Sequence, residues 1–242
     1  MQEELQWKGL EMSDKILICD DEEHIRQFMK INLEYAGFDI VEAGTGEEAL
    51  KLADEEEPSV FILDIMLPGI SGYEVCDSIR KKYPKVGIIM VSAKSQDIDK
   101  ILGLERGCDD YIIKPFNPQE LILRVKSLMR RVKFSDEEKE EKNENVLEDG
   151  VFKLDLYSRN FYKNNIEIDV TPTEFIILKN FILNKGKAMS RMEIMKDTWG
   201  DNYSADTKIV DVNIRRIRAK IEENPAKPEY IETVWGTGYR WR

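Results

Sequence analysis

Several residue types that build common enzyme sites are scarce in this chain of 242 residues. It has one histidine, His24, and three scattered cysteines, Cys19, Cys76 and Cys108. So few histidines, and no cysteine pair, argue against a zinc site, and three separated thiols indicate buried cysteines in a reducing compartment. No apolar run approaches the roughly 20 residues of a membrane span, and the acidic start is unlike a secretory signal. We therefore expect a cytoplasmic protein with no membrane contact.

Charge is distributed unevenly along the chain, although the whole protein has a net charge of −11. Residues 1–131 hold 17 basic and 26 acidic side chains (net −9), residues 132–145 hold 3 and 6 (net −3), and residues 146–242 hold 16 and 15 (net +1). The middle segment is nearly free of apolar residues, which indicates an exposed linker. We predict four parts: an N-terminal extension (1–13), a first domain (14–131), an acidic linker (132–145) and a second domain (146–242).

The first domain alternates short apolar runs with helical patterns. Strands are predicted near 15–19, 38–42, 59–63, 87–91 and 110–113, and a helix follows each one. Glycine and proline residues lie at the boundaries between these elements. The alternation predicts an α/β domain with a doubly wound parallel sheet. Ligands of such sheets bind beyond the carboxyl ends of the strands.

Polar residues stand at these strand ends. Asp20 and Asp21 follow the first strand, Asp64 the third, Ser92 the fourth and Lys114 the fifth. Clustered acids repel one another unless a cation lies among them, and Mg²⁺ prefers oxygen ligands. Phosphoryl transfer needs positioning and charge neutralisation around the transferred group. The set therefore predicts a site for a divalent metal ion and a phosphoryl group, with Lys114 as a fixed positive charge.

In this order, the residues resemble the receiver domain of bacterial two-component response regulators, over roughly 14–131. The resemblance implies a flavodoxin-like fold with strand order 2-1-3-4-5. It implies that Asp64 is the phosphoacceptor and that Ser92 and Lys114 contact the phosphoryl oxygens. It also implies that Tyr111 turns inward once Ser92 moves. The implied Mg²⁺ ligands are Asp21, Asp64, the backbone carbonyl of Met66 and, through water, Asp20.

A simpler interpretation of the three acids is that each caps a helix, since aspartate is a preferred capping residue. It is weak for Asp64, because Ile65-Met66-Leu67-Pro68-Gly69 continues as a loop. It also leaves Lys114-Pro115 unexplained, whereas the resemblance implies a cis peptide bond before Pro115 that aims the lysine.

A second charged set resembles the dimer surface of OmpR/PhoB-type response regulators. That surface is formed by the fourth helix, the fifth strand and the fifth helix. The matching residues are Lys100, Glu105, Asp109, Asp110, Glu120, Arg124 and Arg131. The implied pairs between two molecules of a homodimer are Lys100 with Glu120, Asp110 with Arg124, and Asp109 with Arg131. The alternative is a solvated surface of mixed charge, which any helix can show.

The second domain opens with short alternating segments over 151–168, which predict an antiparallel meander. Thr171 and Ser190 each precede a helical pattern and have a glutamate three residues later, which predicts two capping boxes. A third helix is predicted at 206–223, and a closing hairpin over 230–241 with its turn at 236–238. Together they give an α+β domain that follows the α/β domain.

The helix at 206–223 has two distinct faces. An apolar stripe, Val210, Ile214, Ile217 and Ile221, must pack on a core. Between 206 and 220, five lysines and arginines stand against two aspartates, which is typical of phosphate and base contacts in a major groove. A membrane-surface helix would place aromatic residues beside the charges, and this face has none. The predicted DNA contacts are Lys208, Val212, Asn213, Arg215, Arg216 and Lys220, with Thr233 and Arg240 in the hairpin.

Helix-turn-helix followed by a terminal hairpin resembles the winged-helix effector domain of OmpR/PhoB-type regulators, over about 146–242. The resemblance implies that 206–223 is the recognition helix and that 199–205 is a loop able to contact RNA polymerase. One departure is Trp235, where some relatives have an arginine before the wing glycine. A tryptophan cannot neutralise phosphate, but it can pack against sugars or against its own domain.

Both resemblances imply a transcription regulator rather than an enzyme. A sensor histidine kinase would phosphorylate Asp64, and the resulting homodimer would bind repeated half-sites in double-stranded DNA. One alternative is an aspartyl-phosphate hydrolase, but that chemistry usually has a second acid two residues after the nucleophile, where this chain has Met66. The other alternative is a regulator that binds DNA whatever its phosphorylation state.

Overall fold

The computed structural model describes residues 15–93, 97–133, 145–201, 203 and 206–242. Its first domain contains a five-stranded parallel sheet in the order β2-β1-β3-β4-β5. This order confirms the predicted flavodoxin-like fold. The strands are β1 (Lys15–Cys19), β2 (Asp39–Ala43), β3 (Val60–Asp64), β4 (Gly87–Ser92) and β5 (Asp110–Ile113).

Helices cover both faces of this sheet, so strands β3 and β4 are buried along their whole length rather than on alternate residues, whereas the edge strand β2 is largely not buried. Ile16, Ile18 and Ile62 point to one face and share a buried cluster with residues of the first and last helices. Leu17 and Phe61 point to the other face. The helices are α1 (Glu23–Tyr35), α2 (Gly46–Glu56), α3 (Gly72–Lys82), α4 (Asp97–Glu105) and α5 (Pro118–Lys133).

The second domain begins with an antiparallel sheet in the order β6-β7-β8-β9. Strands β7, β8 and β9 are the predicted meander, and β6 lies before the predicted segments. A short strand that the sequence pattern did not predict, β10, pairs with the terminal hairpin. The elements are β6 (Val146–Asp149), β7 (Phe152–Asp155), β8 (Asn160–Lys163), β9 (Ile166–Ile168), α6 (Pro172–Leu183), β10 (Ala188–Ser190), α7 (Arg191–Trp199), α8 (Lys208–Ile221), β11 (Ile231–Val234) and β12 (Gly238–Trp241).

Local sequence signals explain where the helices of this domain begin. Thr171 caps α6 and Ser190 caps α7, each in a complete capping box with the glutamate three residues later. In the first domain the same arrangement, built on Ser71, starts α3. The Lys114–Pro115 peptide bond is cis, as expected.

The two domains pack directly against each other: α4 contacts α8, and α5 contacts α6. The helix α5 continues two residues past the predicted domain boundary, to Lys133. The predicted extension (1–13) and residues 134–144 of the predicted linker lie outside the described residues. Among the helices that the structure describes, none is long and apolar enough to cross a membrane.

Candidate functional site

Three carboxylates meet at the carboxyl edge of the parallel sheet. Asp20 and Asp21 follow β1, and Asp64 ends β3, its neighbour in the sheet. Asp20 and Asp64 are buried and Asp21 is exposed. One carboxylate oxygen from each lies within 4.8 Å of the other two. The structure thus brings together the three acids that the strand ends predicted.

Lys114 supplies the positive charge of this acidic cluster. Its Nζ lies 2.5 Å from Oδ2 of Asp64 and 2.7 Å from Oδ2 of Asp20. Burial alone would lower the pKa of Lys114, but the hydrogen bonds to Asp20 and Asp64 outweigh burial and raise it. Burial also raises the pKa of Asp20, and the hydrogen bond from Lys114 offsets only part of this. Negative charge in the cluster is therefore in excess of what the lysine neutralises.

Both oxygens of Asp64 are held in place. Oδ2 accepts from Lys114, and Oδ1 accepts from the backbone N–H of Met66 at 2.9 Å. The donor set of the cluster consists of oxygens alone, which suits a hard divalent ion such as Mg²⁺ and is unlike a zinc or iron site. The residues present therefore fit the metal ion that the sequence predicted.

Ser92 and Tyr111 lie beside the cluster. Ser92 ends β4 and is fully buried, and β4 is the neighbour of both β3 and β5. Tyr111 is 8% exposed, so it already lies inward, and its hydroxyl is bonded to Ser92. Burial raises the pKa of Tyr111 to about 12. The predicted movement of this tyrosine upon phosphorylation stays a prediction.

The capping interpretation of the acids is wrong. Helix α1 has Glu22 at its N-cap position, and no side chain caps it. After Asp64, the next helix begins at Gly72 and is capped by Ser71. Asp20 accepts a local hydrogen bond from the N–H of Glu22 at 3.0 Å, outside the helix. None of these three acids is therefore used as a helix cap.

The predicted recognition helix exists as α8, but its exposed face differs from the prediction. The apolar stripe is buried as expected. Val212 and Asn213, predicted as exposed DNA contacts, are only 7% and 0% exposed. Asn213 lies about 70° around the helix from the middle of the apolar stripe, and its amide donates to the carbonyl of Ile209. Val212 loses exposure because α4 of the first domain packs against α8.

Two of the predicted DNA-contacting cations are engaged by one buried carboxylate. Glu174 is 0% exposed, and its oxygens lie 2.9 Å from Nη2 of Arg216 and 2.6 Å from Nζ of Lys220. Burial would raise the pKa of Glu174, but these two cations outweigh burial and lower it. The sequence pattern indicated only a capping role for this glutamate.

The other predicted DNA contacts are more exposed. Lys208 and Arg215 keep about half and three quarters of their side-chain exposure, and Arg215 forms an ion pair with Glu105 of the first domain. In the hairpin, Thr233 accepts a hydrogen bond from Arg218, and Arg240 pairs with Glu232. Trp235 is 91% exposed at the hairpin tip, which rules out packing against its own domain in this structure.

Several of the residues predicted for a dimer surface form hydrogen bonds and ion pairs within the chain. Arg124 donates to Asp110 at 2.9 Å, and it also bonds Glu120 one turn earlier in α5. Asp109 pairs with Arg80 rather than with Arg131. The predicted pairing of Asp110 with Arg124 between two molecules therefore meets a competing pair inside the chain. Lys100 and Glu120 line a cavity between the domains.

Sequence reasoning missed two aromatic contacts with the first domain: Trp199, the last residue of α7, and Tyr203 in the loop that follows. Tyr203 donates to Asp110 at 2.7 Å, and the Arg131 guanidinium lies 5.3 Å from the ring of Trp199. The loop had been predicted to contact RNA polymerase. No local signal could have assigned these contacts, because Asp110 lies 93 residues before Tyr203.

Comparisons with known proteins agree with both halves of this description. Residues 16–126 match the family model described as "Response regulator receiver domain", and residues 165–241 match "Transcriptional regulatory protein, C terminal". The chain is 42% identical, over 230 residues, to the probable transcriptional regulator ycf27 of Porphyridium aerugineum, covering 93% of this chain and 95% of that protein. It is 41% identical, over 234 residues, to the alkaline phosphatase synthesis transcriptional regulatory protein PhoP of Bacillus subtilis, covering 95% and 97%.

Two solved structures are also similar to this chain. The response regulator DrrB of Thermotoga maritima, an OmpR/PhoB homologue, is 34% identical with a TM-score of 0.51, covering 95% of this chain and 99% of that chain. A mutant of the protein RitR shares the fold at 21% identity and a TM-score of 0.76, covering 94% and 98%.

The acidic cluster on a doubly wound sheet, joined to a winged helix, defines a response regulator with a transcriptional output domain. Within that class, the relatives and their coverage show that the chain belongs to the OmpR/PhoB-type response regulators.

Proposed function

We propose that the protein turns a phosphoryl group on Asp64 into binding of double-stranded DNA. A phosphohistidine of a sensor kinase donates the group. Its P–N bond breaks as a P–O bond to an Asp64 carboxylate oxygen forms, and the histidine nitrogen keeps the electron pair of the broken bond. The observation that carries this proposal is the convergence of Asp64 with two further acids and Lys114. A nucleophilic carboxylate needs such compensation for the charge on the phosphoryl oxygens.

Mg²⁺ is the proposed cofactor. Asp21, Asp64 and the carbonyl of Met66 would hold the ion directly, and Asp20 would hold it through water. When bound, Mg²⁺ supplies positive charge to the phosphoryl oxygens. Lys114, at the carboxyl end of β5, would supply a second positive charge, and the buried hydroxyl of Ser92 would donate a hydrogen bond.

The kinase has a suitable contact surface on α1. Phe28, Ile31 and Tyr35 form an exposed apolar stripe, 40%, 63% and 95% exposed, on a helix that starts beside the acidic cluster. Phe116, two residues after Lys114, lies with its ring 6.2 Å from that of Phe28. A helical kinase segment on this stripe would present its histidine near Asp64.

The output we propose is a homodimer on repeated DNA half-sites. Phosphorylation would draw Ser92 and Lys114 towards the new oxygens, and the change would pass through Tyr111 to the surface of α4, β5 and α5. Two copies of α8 at a fixed spacing would then read repeated half-sites. The loop after α7 is available to RNA polymerase only when it leaves the first domain, because Tyr203 is now bonded to Asp110.

We further propose that the protein is not a phosphatase for other substrates. Met66 stands where aspartyl-phosphate hydrolases usually have a second acid, and its side chain offers neither an acid nor a base. Loss of the phosphoryl group from Asp64 would then depend on unassisted attack by water and be slow.

The test is Asp64→Asn, which removes the nucleophile but preserves the side-chain shape. We expect no label on the purified variant after incubation with a radiolabelled small acyl phosphate and Mg²⁺. The matched control is Asp54→Asn, an exposed carboxylate of α2 bonded to Lys82, which should be labelled like the wild type. Labelling of Asp64→Asn at the wild-type rate would overturn the assignment.

A further inference from the structure

One arginine of the first domain links the acidic cluster to the edge strand of the parallel sheet. Arg26 lies in the first turn of α1. Its Nη1 donates to the backbone carbonyl of Asp20 at 2.6 Å, and its Nε lies 3.5 Å from Oε1 of Glu42 in β2. The Arg26 side chain is 17% exposed, so most of it is removed from solvent. Arg26 therefore joins the turn after β1, which carries Asp20 and Asp21, to the neighbouring strand.

Glu42 anchors this arginine. Its carboxylate also accepts hydrogen bonds from Gln27 at 2.9 Å and from Lys30, one turn further along α1. Three side chains of α1 thus hold one carboxylate of β2. Within the part of the chain that the structure describes, Arg26 is the one of the three that also contacts the turn after β1. The guanidinium cannot swing away from Asp20 without also losing its ion pair with Glu42.

The hydrogen bond from Arg26 acts on the peptide unit between Asp20 and Asp21. A peptide unit is planar, so a donor that fixes its carbonyl oxygen also fixes the N–H and the Cα that follow. The N–H of Asp20 is held by the carbonyl of Ala43 at 3.2 Å, and its Oδ1 by the N–H of Glu22 at 3.0 Å. Asp21 itself is exposed, so its backbone, rather than side-chain packing, sets where its carboxylate lies.

We propose that Arg26 is a positioning residue for the metal ion. It holds the turn after β1 so that the carboxylates of Asp20 and Asp21 lie beside that of Asp64, and it thereby raises the affinity of the acidic cluster for Mg²⁺. Arg26 contacts neither the ion nor the phosphoryl group. This proposal rests on the proposed function, because Mg²⁺ is the ion proposed there.

The charge of Arg26 acts in the opposite direction to its positioning effect. A cation beside a metal site repels the ion, so charge alone predicts that Mg²⁺ binds more tightly when Arg26 is removed. Positioning predicts weaker binding, and groups that orient metal ligands typically contribute roughly 10- to 100-fold to metal affinity. The lower value is expected here, because Arg26 acts through the backbone. The sign of the change in affinity therefore separates the two effects.

The first test is isothermal titration calorimetry of the full chain with magnesium chloride. Arg26→Gln should bind Mg²⁺ about 10-fold more weakly than the wild type. The matched control is Lys30→Gln, which removes the same charge and a bond to the same Glu42 but no contact with Asp20. That variant should bind Mg²⁺ no more weakly than the wild type. Equal affinities of Arg26→Gln and Lys30→Gln would overturn the proposal.

Arg26→Lys keeps the positive charge and tests the geometry of the guanidinium. Its single nitrogen replaces a planar fork that reaches Asp20 and Glu42 together. The variant should bind Mg²⁺ more weakly than the wild type, though less weakly than Arg26→Gln. Wild-type affinity in Arg26→Lys would contradict the proposal, and this variant alone decides if Arg26→Gln fails to fold.

The rate of labelling by a small acyl phosphate, measured against Mg²⁺ concentration, distinguishes weaker metal binding from a disrupted site. In Arg26→Gln the Mg²⁺ concentration that gives half the maximal rate should rise about 10-fold. The rate at saturating Mg²⁺ should stay close to that of the wild type, because Asp64 and Lys114 are unchanged. A saturating rate that falls about 10-fold at an unchanged Mg²⁺ requirement would refute a positioning role for Arg26.

The positioning role and the proposed function fail in different ways. If the wild type binds Mg²⁺ but is not labelled on Asp64, the proposed function is wrong, and calorimetry still decides the role of Arg26. If the wild type is labelled and needs Mg²⁺, but Arg26→Gln binds Mg²⁺ like Lys30→Gln, the role of Arg26 alone is wrong. If the wild type binds no Mg²⁺, both proposals are wrong.

Discussion

Glu174→Gln should lower the stability of the second domain substantially, although the substitution changes only one atom. The glutamate is 0% exposed and faces Arg216 at 2.9 Å and Lys220 at 2.6 Å. It also completes the capping box of α6 by accepting from the N–H of Thr171 at 2.9 Å. Glutamine can keep the capping hydrogen bond, but it cannot neutralise the two cations.

The expected magnitude follows from the burial of these groups. Removing one partner of a buried ion pair costs about 3–5 kcal/mol. The lower end applies here, because Arg216 keeps the carbonyl of Leu104 and Lys220 keeps the carbonyl of Asp169. For a domain of this size, about 3 kcal/mol corresponds to a fall in Tm of roughly 12–24 °C. Three of the four tryptophans belong to this domain, so tryptophan fluorescence of the full chain follows its unfolding.

The pH dependence of Tm shows whether Glu174→Gln acts by removing the negative charge of Glu174 or by changing the shape of its side chain. The cations depress the folded-state pKa of Glu174 below its ordinary value of 4.5. The stability that it contributes is therefore fully present above that value and is lost as the pH falls through the folded-state pKa. The difference in Tm between wild type and Glu174→Gln should be constant near neutral pH and shrink below about 4.5.

The matched control is Glu193→Gln, at the same position of the capping box of α7. Its carboxylate is exposed and has no buried cation beside it. That variant should melt close to the wild type. Equal melting of Glu174→Gln and Glu193→Gln would refute the ion network, and a Tm difference that persists undiminished in acid would show that the loss is steric.

Two further predictions concern DNA binding by the phosphorylated protein. Arg216→Ala should weaken binding to the preferred DNA site by about 1–3 kcal/mol and relax the preference at one base pair. Arg215→Ala should weaken binding to all DNA sequences alike and reduce the slope of log affinity against log salt concentration by about one. Titrations of both variants with specific and scrambled DNA duplexes at several salt concentrations measure these effects. Identical losses of affinity in the two variants, with unchanged salt dependence, would contradict the prediction. Trp235→Ala should reduce DNA affinity without changing Tm, because this 91% exposed side chain packs on nothing in its own domain; unchanged affinity would exclude a DNA contact by the wing tip.

The candidate site could be predicted from sequence because each of its residues follows directly from a local pattern. Strand ends of a parallel sheet meet at one edge, so Asp20, Asp64 and Lys114 needed no knowledge of distant contacts. The capping boxes at Thr171 and Ser190 are equally local, because each is defined by the four consecutive residues from the N-cap residue to the glutamate.

The exposed face of α8 could not be predicted in the same way. Periodicity identifies the stripe that faces its own domain, but a second buried side arises only when another domain packs there. Val212 is buried because α4 covers α8, and the sequence of α8 has no feature that distinguishes such a contact from DNA binding. The contacts of Tyr203 are of the same kind, since its partner belongs to the other domain.

The interface between the two domains also has an unfavourable component. Arg131 is 2% exposed, and none of its three guanidinium nitrogens has a hydrogen-bond partner among the described residues. A buried cation without a hydrogen-bond partner is costly, and the Trp199 ring at 5.3 Å is its one aromatic contact in the described part of the chain, so Arg131 reduces the net stability of the domain interface. Separation of the domains would release Thr173 from Asp109, so one oxygen of Asp109 would be freed at the same time as the Arg131 guanidinium. These two groups form one of the pairs predicted between two molecules. The domain interface therefore leaves without a hydrogen bond a cation that the proposed dimer would pair with Asp109 of the other molecule.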